Sequence, residues 1–189
     1  MKKKAGHIFL FLASVWMGLV FCSVFPALAR VGQITLDDSL TVLSFGRQVE
    51  FLEDKGKNKT IIDVVVADAQ WRASQKDAIN LGFTDSAYWF RFTVDNVLER
   101  KKQWYFELTY PHLDYLEFYT PAPEGGFEKI KTGDHYPFSH RPVTDKDFVF
   151  FLEQNPGAVT YYVRVETTSS LNFEPVMRSK AAYLTKLSR

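Results

Sequence analysis

The residues best suited to recognition chemistry lie on one predicted strand, at positions 88–95. Its two faces alternate, with Tyr88, Phe90, Phe92 and Val94 on one and Trp89, Arg91, Thr93 and Asp95 on the other. An apolar wall therefore backs a face that displays an aromatic plane, a cation and hydrogen-bonding groups. Such a face suits binding of a polar ligand better than it suits catalysis.

Three further predicted strands carry aromatic and charged residues on their outward faces. These outward sets are Tyr105, Glu107 and Thr109, then Tyr115, Glu117 and Tyr119, and finally Tyr162, Arg164 and Glu166. If these strands share a sheet with strand 88–95, the outer face becomes a platform of tyrosines and arginines. That prediction depends on the strand order.

Catalytic chemistry finds little support in the available residues. A glycosidase needs two carboxylates about 5 to 9 Å apart, but Asp114 and Glu117 differ by an odd step and should point to opposite faces. Glu107 and Glu166 could still meet across strands, which keeps a β-sandwich glycoside hydrolase as an alternative. The sequence has no Gly-x-Ser-x-Gly or Ser-x-x-Lys nucleophile motif. We therefore expect a protein that is not an enzyme.

Metal and cofactor binding have no recognisable pattern either. His112, His135 and His140 lie in the same part of the chain as Asp114 and Asp134, but their spacing matches no zinc motif. Glycine-rich phosphate loops are also absent from the sequence. We expect no metal and no cofactor.

The elements that would position these residues are short β-strands. The 189-residue chain contains 17 Phe, 9 Tyr and 4 Trp, which recur in short runs between turn formers. The predicted strands are 40–45, 49–52, 61–66, 88–95, 104–110, 115–120, 127–131, 148–153, 160–167 and 171–178. We expect little helix, with one short turn in residues 67–80. The pattern predicts an all-β fold of two packed antiparallel sheets.

The N-terminus predicts export. Three lysines precede an apolar run over residues 8–25, and Ala27 and Ala29 provide the small residues of a signal cleavage site. An uncleaved membrane anchor is the alternative, because the run is about long enough to span a bilayer. Cleavage removes Cys22, so the mature chain holds no disulfide. Either outcome places the domain outside the cytoplasm, in the periplasm or at the cell exterior.

We divide the chain into a signal peptide (1–29), a lead (30–38), a β-sandwich (39–178) and a tail (179–189). Loss of residues 1–29 leaves 160 residues with 20 basic and 22 acidic side chains, a net charge of −2. Nucleic-acid binding requires a concentrated positive surface, so we expect no nucleic-acid partner.

Several motifs, taken in order, resemble one receptor family. They are Leu81-Gly82-Phe83-Thr84, Tyr88-Trp89-Phe90-Arg91-Phe92, Asp95-Asn96, the run from Tyr110-Pro111-His112-Leu113-Asp114 to Tyr119, Thr132-Gly133-Asp134, Pro137-Phe138, Arg141, the run from Tyr161 to Thr167, and Ser169-Ser170. The resemblance covers roughly residues 39–177. The chain resembles the type 2 extracellular sensor domain of bacterial seven-transmembrane receptors with diverse intracellular signalling modules (7TMR-DISM).

The resemblance implies a jelly-roll, galactose-binding-like β-sandwich that senses carbohydrate or another small polar ligand for a bacterial receptor. Trp89 would stack on the ligand; Arg91, Arg141 and Arg164 would donate, Asp114 and Glu166 would accept, and Tyr105, Tyr119 and Tyr162 would add ring surface. Structural roles remain open for each, namely burial of Trp89, cross-strand ion pairs for Arg91 and Arg164, and loop contacts for Asp114 and Arg141. Family receptors continue into membrane helices and an output domain, whereas this chain ends at Arg189.

Two partner hypotheses therefore stay open: a membrane-embedded signalling partner or further domains of the same receptor, and an exported binding protein that works alone. The alternative to ligand sensing is a β-sandwich that pairs with another protein, or with itself as a homodimer, through an exposed sheet.

Overall fold

The computed structural model describes residues 32–66 and 71–188 of the chain, which fold into a seven-stranded and a four-stranded β-sheet packed face to face, with a separate two-stranded sheet. The strands are β1 (Ile34–Leu36), β2 (Val42–Ser44), β3 (Glu50–Asp54), β4 (Arg72–Ala73), β5 (Ile79–Gly82), β6 (Ala87–Asn96), β7 (Lys102–Leu108), β8 (Tyr115–Pro121), β9 (Phe127–Thr132), β10 (Phe148–Gln154), β11 (Gly157–Glu166), β12 (Leu171–Phe173) and β13 (Pro175–Ser179). Two helices are α1 (Ile61–Val66) and α2 (Lys180–Leu187), and 3-10 turns lie at Gly46–Gln48 and Phe138–His140.

The larger sheet has the order β4-β3-β6-β11-β8-β9, with β1 added in parallel to the end of β6. All its other pairings are antiparallel. The register aligns one row of side chains across five strands, namely Leu52, Trp89, Arg164, Glu117 and Lys131. The strands that carry Trp89, Arg164 and Glu117 are therefore neighbours.

The smaller sheet has the order β10-β7-β13-β2, and β5 pairs separately with β12. Both pairings of the central strand β7 are antiparallel. This arrangement confirms the predicted all-β sandwich, with the β5–β12 pair as a third sheet beyond the two predicted.

The core lies between the inner faces of the sheets and is rich in phenylalanine. Phe90 stacks on Phe173 with ring centroids 3.9 Å apart. Phe106 of the smaller sheet contacts Phe92 and Phe118 of the larger sheet at 5.0 and 5.3 Å. Burial of each such ring contributes about 1.5 to 3 kcal/mol. The predicted inner face of strand 88–95 is confirmed, because all four of its apolar residues are buried.

Helix α1 occupies residues that the sequence predicted to form a strand at 61–66. The Asp63 carboxylate accepts from the Thr60 amide at 2.7 Å, and the Asp63 amide donates to Thr60 Oγ1 at 3.4 Å. This reciprocal capping begins a helix that buries Val64. The strand prediction is wrong because capping and burial outweigh the β propensity of the Ile and Val run.

Two other boundaries also differ from the prediction. Residues 71–80, the described part of the segment expected to hold a helical turn, instead form β4 and the start of β5. The predicted strand 171–178 is divided at Glu174, where the chain passes from the β5–β12 pair to the smaller sheet.

Both flanks of the predicted sandwich contribute structure to it. The lead supplies β1, in which Ile34 and Leu36 are buried against the core. The tail supplies α2. Ser179 caps this helix, because its side chain accepts a hydrogen bond from the Ala182 amide. Tyr183 of α2 stacks on an outward ring of β7 and is buried. The predicted signal peptide lies outside the described residues.

A charge network holds α2 on the outer face of the smaller sheet. Glu107 points outward from β7, yet it is fully buried. Lys186 and Arg178 both donate to its carboxylate. Lys186 also bonds Asp147 at 2.9 Å and Asp145 at 3.2 Å. Burial alone would lower the pKa of Lys186, but Glu107 and Asp147 raise it above its ordinary value. The lysine is therefore the shared counter-ion of three carboxylates.

Lys186→Ala should destabilise the protein by about 3 kcal/mol, because it leaves buried carboxylates without their common cation. Urea unfolding of the purified protein measures this loss. Lys180→Ala is the matched control, since Lys180 is exposed on the same helix. Equal stability of the two variants would contradict a stabilising role for this charge network.

Candidate functional site

Six of the nine predicted ligand-binding residues share the outer face of the larger sheet. They are Trp89, Arg91, Tyr119, Tyr162, Arg164 and Glu166. The predicted tyrosine and arginine platform forms only in part, because β8 and β11 lie in the same sheet as β6 whereas β7 lies in the smaller sheet. The platform is divided into two halves of different character.

The first half is sealed beneath helix α1. Trp89 is 0% exposed and packs in a cluster with Leu52, Val64, Tyr119 and Tyr162. The indole Nε1 of Trp89 has no hydrogen-bond partner among the residues that the structure describes. Of the two roles left open for Trp89 from the sequence, burial is the one that the structure shows, because helix α1 lies across this part of the sheet.

Arg91 is tied down at the end of the sealed half. Its guanidinium bonds the carboxylate of Glu50 at 2.6 Å, across the β3–β6 pair. The same guanidinium lies 4.4 Å from the ring centroid of Trp71, which in turn contacts Tyr162 at 6.3 Å. The cross-strand ion pair considered from the sequence is thus present for Arg91.

The second half is open, and we call it the basic patch. It consists of Lys57, Tyr115, Glu117, Lys129, Lys131, Arg164 and Glu166. The ring of Tyr115 is 41% exposed, whereas the side chain of Arg164 is 14% exposed at the border with the sealed half. The basic patch is a shallow surface of cations and carboxylates beside an accessible aromatic ring.

Glu166 organises one side of the basic patch. Its carboxylate accepts from Lys57 Nζ at 3.0 Å and from Arg164 at 3.1 Å. Arg164 also donates to the backbone carbonyl of Lys57 at 3.3 Å. Burial would raise the pKa of Glu166, but the bonds from Lys57 and Arg164 lower it overall. The carboxylate is therefore ionised and holds both cations in place.

Glu117 organises the other side. One carboxylate oxygen accepts from the Tyr119 hydroxyl at 2.5 Å, and the other bonds Lys129 at 3.3 Å and Lys131 at 3.4 Å. Burial would raise the pKa of Glu117, but the Tyr119 hydrogen bond and the Lys129 charge lower it overall. Glu117 thus joins the sealed half to the lysines of β9.

The turn before α1 positions Lys57. The buried carboxylate of Asp54 accepts from the Lys59 amide at 3.0 Å, and the Asp54 carbonyl accepts from the Lys57 amide at 3.1 Å. Lys57 adopts φ 53°, a left-handed conformation that costs a residue with a side chain about 1 to 2 kcal/mol. The fold accepts this cost in a turn that places an ammonium against Glu166.

The remaining three predicted residues lie elsewhere. Tyr105 is on the smaller sheet, stacked on Tyr183 at 4.2 Å. Asp114 accepts from the amide and hydroxyl of Thr168, both at 2.7 Å, and so joins two loops. Arg141 stacks over a core-facing Phe ring at 4.1 Å and donates to the Lys146 carbonyl at 2.8 Å. These contacts are the loop roles considered from the sequence for Asp114 and Arg141.

The hydrolase alternative loses its carboxylate pair. Glu107 lies on the outer face of the smaller sheet, whereas Glu166 lies on the outer face of the larger one. The core separates the two glutamates, so they cannot act on one bond.

Sequence reasoning missed most of the basic patch. Tyr115 and Glu117 were predicted to face outward without a binding role, and Lys57, Lys129 and Lys131 were not assigned to a site. The available signal was the hairpin turn at 124–127, which makes β8 and β9 direct neighbours. It would have placed both lysines beside Glu117.

The histidines contact separate acidic and aromatic side chains. His135 approaches Asp114 at 3.8 Å, and His112 approaches Asp134 at 4.0 Å. Within residues 32–66 and 71–188 there is no group of three or more His, Cys, Asp or Glu side chains that could hold a metal ion. None of the helices in those ranges combines the length and apolar character of a membrane span.

Comparison with known proteins supports the fold and the resemblance. A family model described as 7TMR-DISM extracellular 2 matches residues 46–179, from the first 3-10 turn to the end of β13. No curated protein matches the chain.

The basic patch should make stability depend on pH. Glu117 and Glu166 have a lower pKa in the folded protein than their ordinary value, which in unfolded chains is about 4.3. Their stabilisation is therefore complete above that value and is lost as the pH falls through the lower folded-state pKa. The double variant Glu117→Gln/Glu166→Gln should be less stable than the parent at pH 7, and this difference should shrink toward pH 3.

Urea unfolding of both proteins at the two pH values measures the effect. Glu124→Gln is the control, since its carboxylate is exposed in the turn between β8 and β9. A difference between double variant and parent that stays constant from pH 7 to pH 3 would argue against ionised, paired carboxylates.

Proposed function

The chain belongs to the 7TMR-DISM extracellular 2 family of receptor sensor domains, and we propose that it binds a small polar ligand, a carbohydrate, on the basic patch. Domains of this family are generally non-enzymatic and form the extracellular part of membrane receptors with intracellular signalling modules. The proposal adds the ligand class and the surface that binds it. It also includes export through cleavage after Ala29.

The observation that carries the proposal is the exposed ring of Tyr115 beside fixed polar groups. A sugar presents C–H faces that stack on aromatic rings and hydroxyls that pair with guanidinium and carboxylate groups. Tyr115 lies directly opposite Glu166 on the neighbouring strand, and Arg164 lies opposite Glu117. One ring and three polar side chains therefore face a common area of solvent.

Preorganisation supports the same conclusion. Arg164 is held by Glu166 and by the Lys57 carbonyl before any ligand arrives. The strands beneath it are packed on their other face against the phenylalanine core. A ligand therefore need not order these groups, which reduces the entropic cost of binding.

A deeper cleft of about 470 Å³ lies between the edge strands β9 and β10. Its lining includes Ile130, Phe151 and Tyr161, and its buried amide Gln154 already donates to two backbone carbonyls. None of the residues that line the cleft is a lysine or arginine, whereas the basic patch has four such cations, so the cleft offers a polar ligand fewer charged donors.

A panel of oligosaccharides should raise the melting temperature of the parent protein for at least one compound, because ligand binding stabilises the native state. Arg164→Ala and Tyr115→Ala should each abolish that shift. Arg47→Ala is the matched control: Arg47 also forms one surface salt bridge, at 3.1 Å to Asp77, but lies outside the basic patch. Differential scanning fluorimetry provides the measurement.

Absence of any shift across the panel would overturn the proposal. A protein-binding role would then be favoured, because helix α1 displays Ile62 and Val66 at 57% and 75% exposure. A shift that persists in Arg164→Ala would place the binding site elsewhere.

A further inference from the structure

We infer that the ligand of the basic patch is an anionic saccharide bearing carboxylate groups. The inference rests on the proposed function and narrows its ligand class. It starts from the charges of the patch, which holds the cations Lys57, Lys129, Lys131 and Arg164 against the carboxylates Glu117 and Glu166. The surface keeps an excess of positive charge after internal pairing.

The hydrogen-bonding capacity of the patch is similarly unbalanced. Both oxygens of Glu166 accept from cations, and both oxygens of Glu117 accept from Tyr119 or from lysines. A sugar hydroxyl that donates a hydrogen bond to the patch would need these carboxylate oxygens as acceptors. The side chains of Lys57 and Lys131 are 42% and 53% exposed and carry ammonium donors toward solvent.

A neutral sugar uses each hydroxyl as donor and acceptor, and the bonds that Glu117 and Glu166 already accept reduce the acceptor sites left for its hydroxyl donors. A ligand carboxylate offers acceptors only and forms the stronger, charge-assisted bonds with ammonium and guanidinium groups. Donor-rich surroundings therefore favour a uronic-acid type of sugar over its neutral counterpart.

The arrangement of the cations matches a ligand that spans the patch. Lys131 and Arg164 flank Glu117 on its two neighbouring strands. Lys57 approaches from the turn above Glu166, beside the exposed ring of Tyr115. Carboxylates on successive sugar units can therefore meet separate cations while one ring stacks on Tyr115.

The test compares trigalacturonic acid with its methyl ester, which keeps the sugar rings and removes the charges. Isothermal titration calorimetry at low salt should show the acid binding at least tenfold more tightly. This preference should shrink at high salt, because surface charge interactions are screened.

Variants locate the effect on the patch. Lys131→Gln and Lys57→Asn should each weaken binding of the acid about threefold to tenfold, and should weaken binding of the ester by less. Asn suits the left-handed backbone of position 57, so this change removes the ammonium without new strain. Lys101→Gln is the control, since Lys101 is an exposed lysine that pairs with Glu153 outside the patch. A melting curve for each variant confirms that it is folded.

Equal or tighter binding of the methyl ester would overturn the inference while the proposed function stands. Binding of neither trisaccharide would also overturn it, and a neutral oligosaccharide that binds in the panel screen would then show that the proposed function survives alone. If neither the trisaccharides nor any compound of the panel binds, both the proposed function and the inference of an anionic ligand are rejected.

Discussion

The burial of Trp89 under helix α1 is the constraint on which the outer face of the larger sheet depends. Strand β6 lies inside that sheet and is covered on both sides, by phenylalanines below and by the α1 cluster above. With Trp89 sealed, the open part of this face is the half formed by β11, β8 and β9. The same turn that leads into α1 carries Lys57 to Glu166. One segment, the turn at Lys57 with helix α1, therefore both covers Trp89 and supplies a cation to the basic patch.

Different interactions hold the helices that cover the outer faces of the two sheets. On the larger sheet, α1 is held mainly by apolar contacts, through Val64 and the rings around it. On the smaller sheet, α2 is held by Lys186 among three buried carboxylates, an arrangement that is sensitive to loss of one partner. The α2 face is therefore specified by charge geometry and the α1 face by packing. Neither face resembles the fully solvated sheet that simple alternation suggests.

Local alternation predicted much of the fold, because side-chain direction along a strand is set by the backbone itself. It placed Phe90, Phe92 and Phe118 in the core and Arg164 on the outer face. It could not show that Trp89 or Glu107 would be covered, since their helices come from other parts of the chain. The helix at 61–66 was missed because the Thr60 and Asp63 cap overrides the propensity of valines. The grouping of Lys129 and Lys131 with Glu117 required the strand register, which hydrophobic patterning alone does not supply.

We propose above that a polar ligand binds the open half of this face. Amide chemical-shift mapping of the ¹⁵N-labelled protein, titrated with the saccharide that binds it most tightly, tests this directly. We expect the largest shifts in β11, β8, β9 and the turn around Lys57, with Tyr115 and Arg164 among the most affected. Shifts concentrated instead at Phe151, Leu152 and Asn155, in the cleft beside β10, would contradict it.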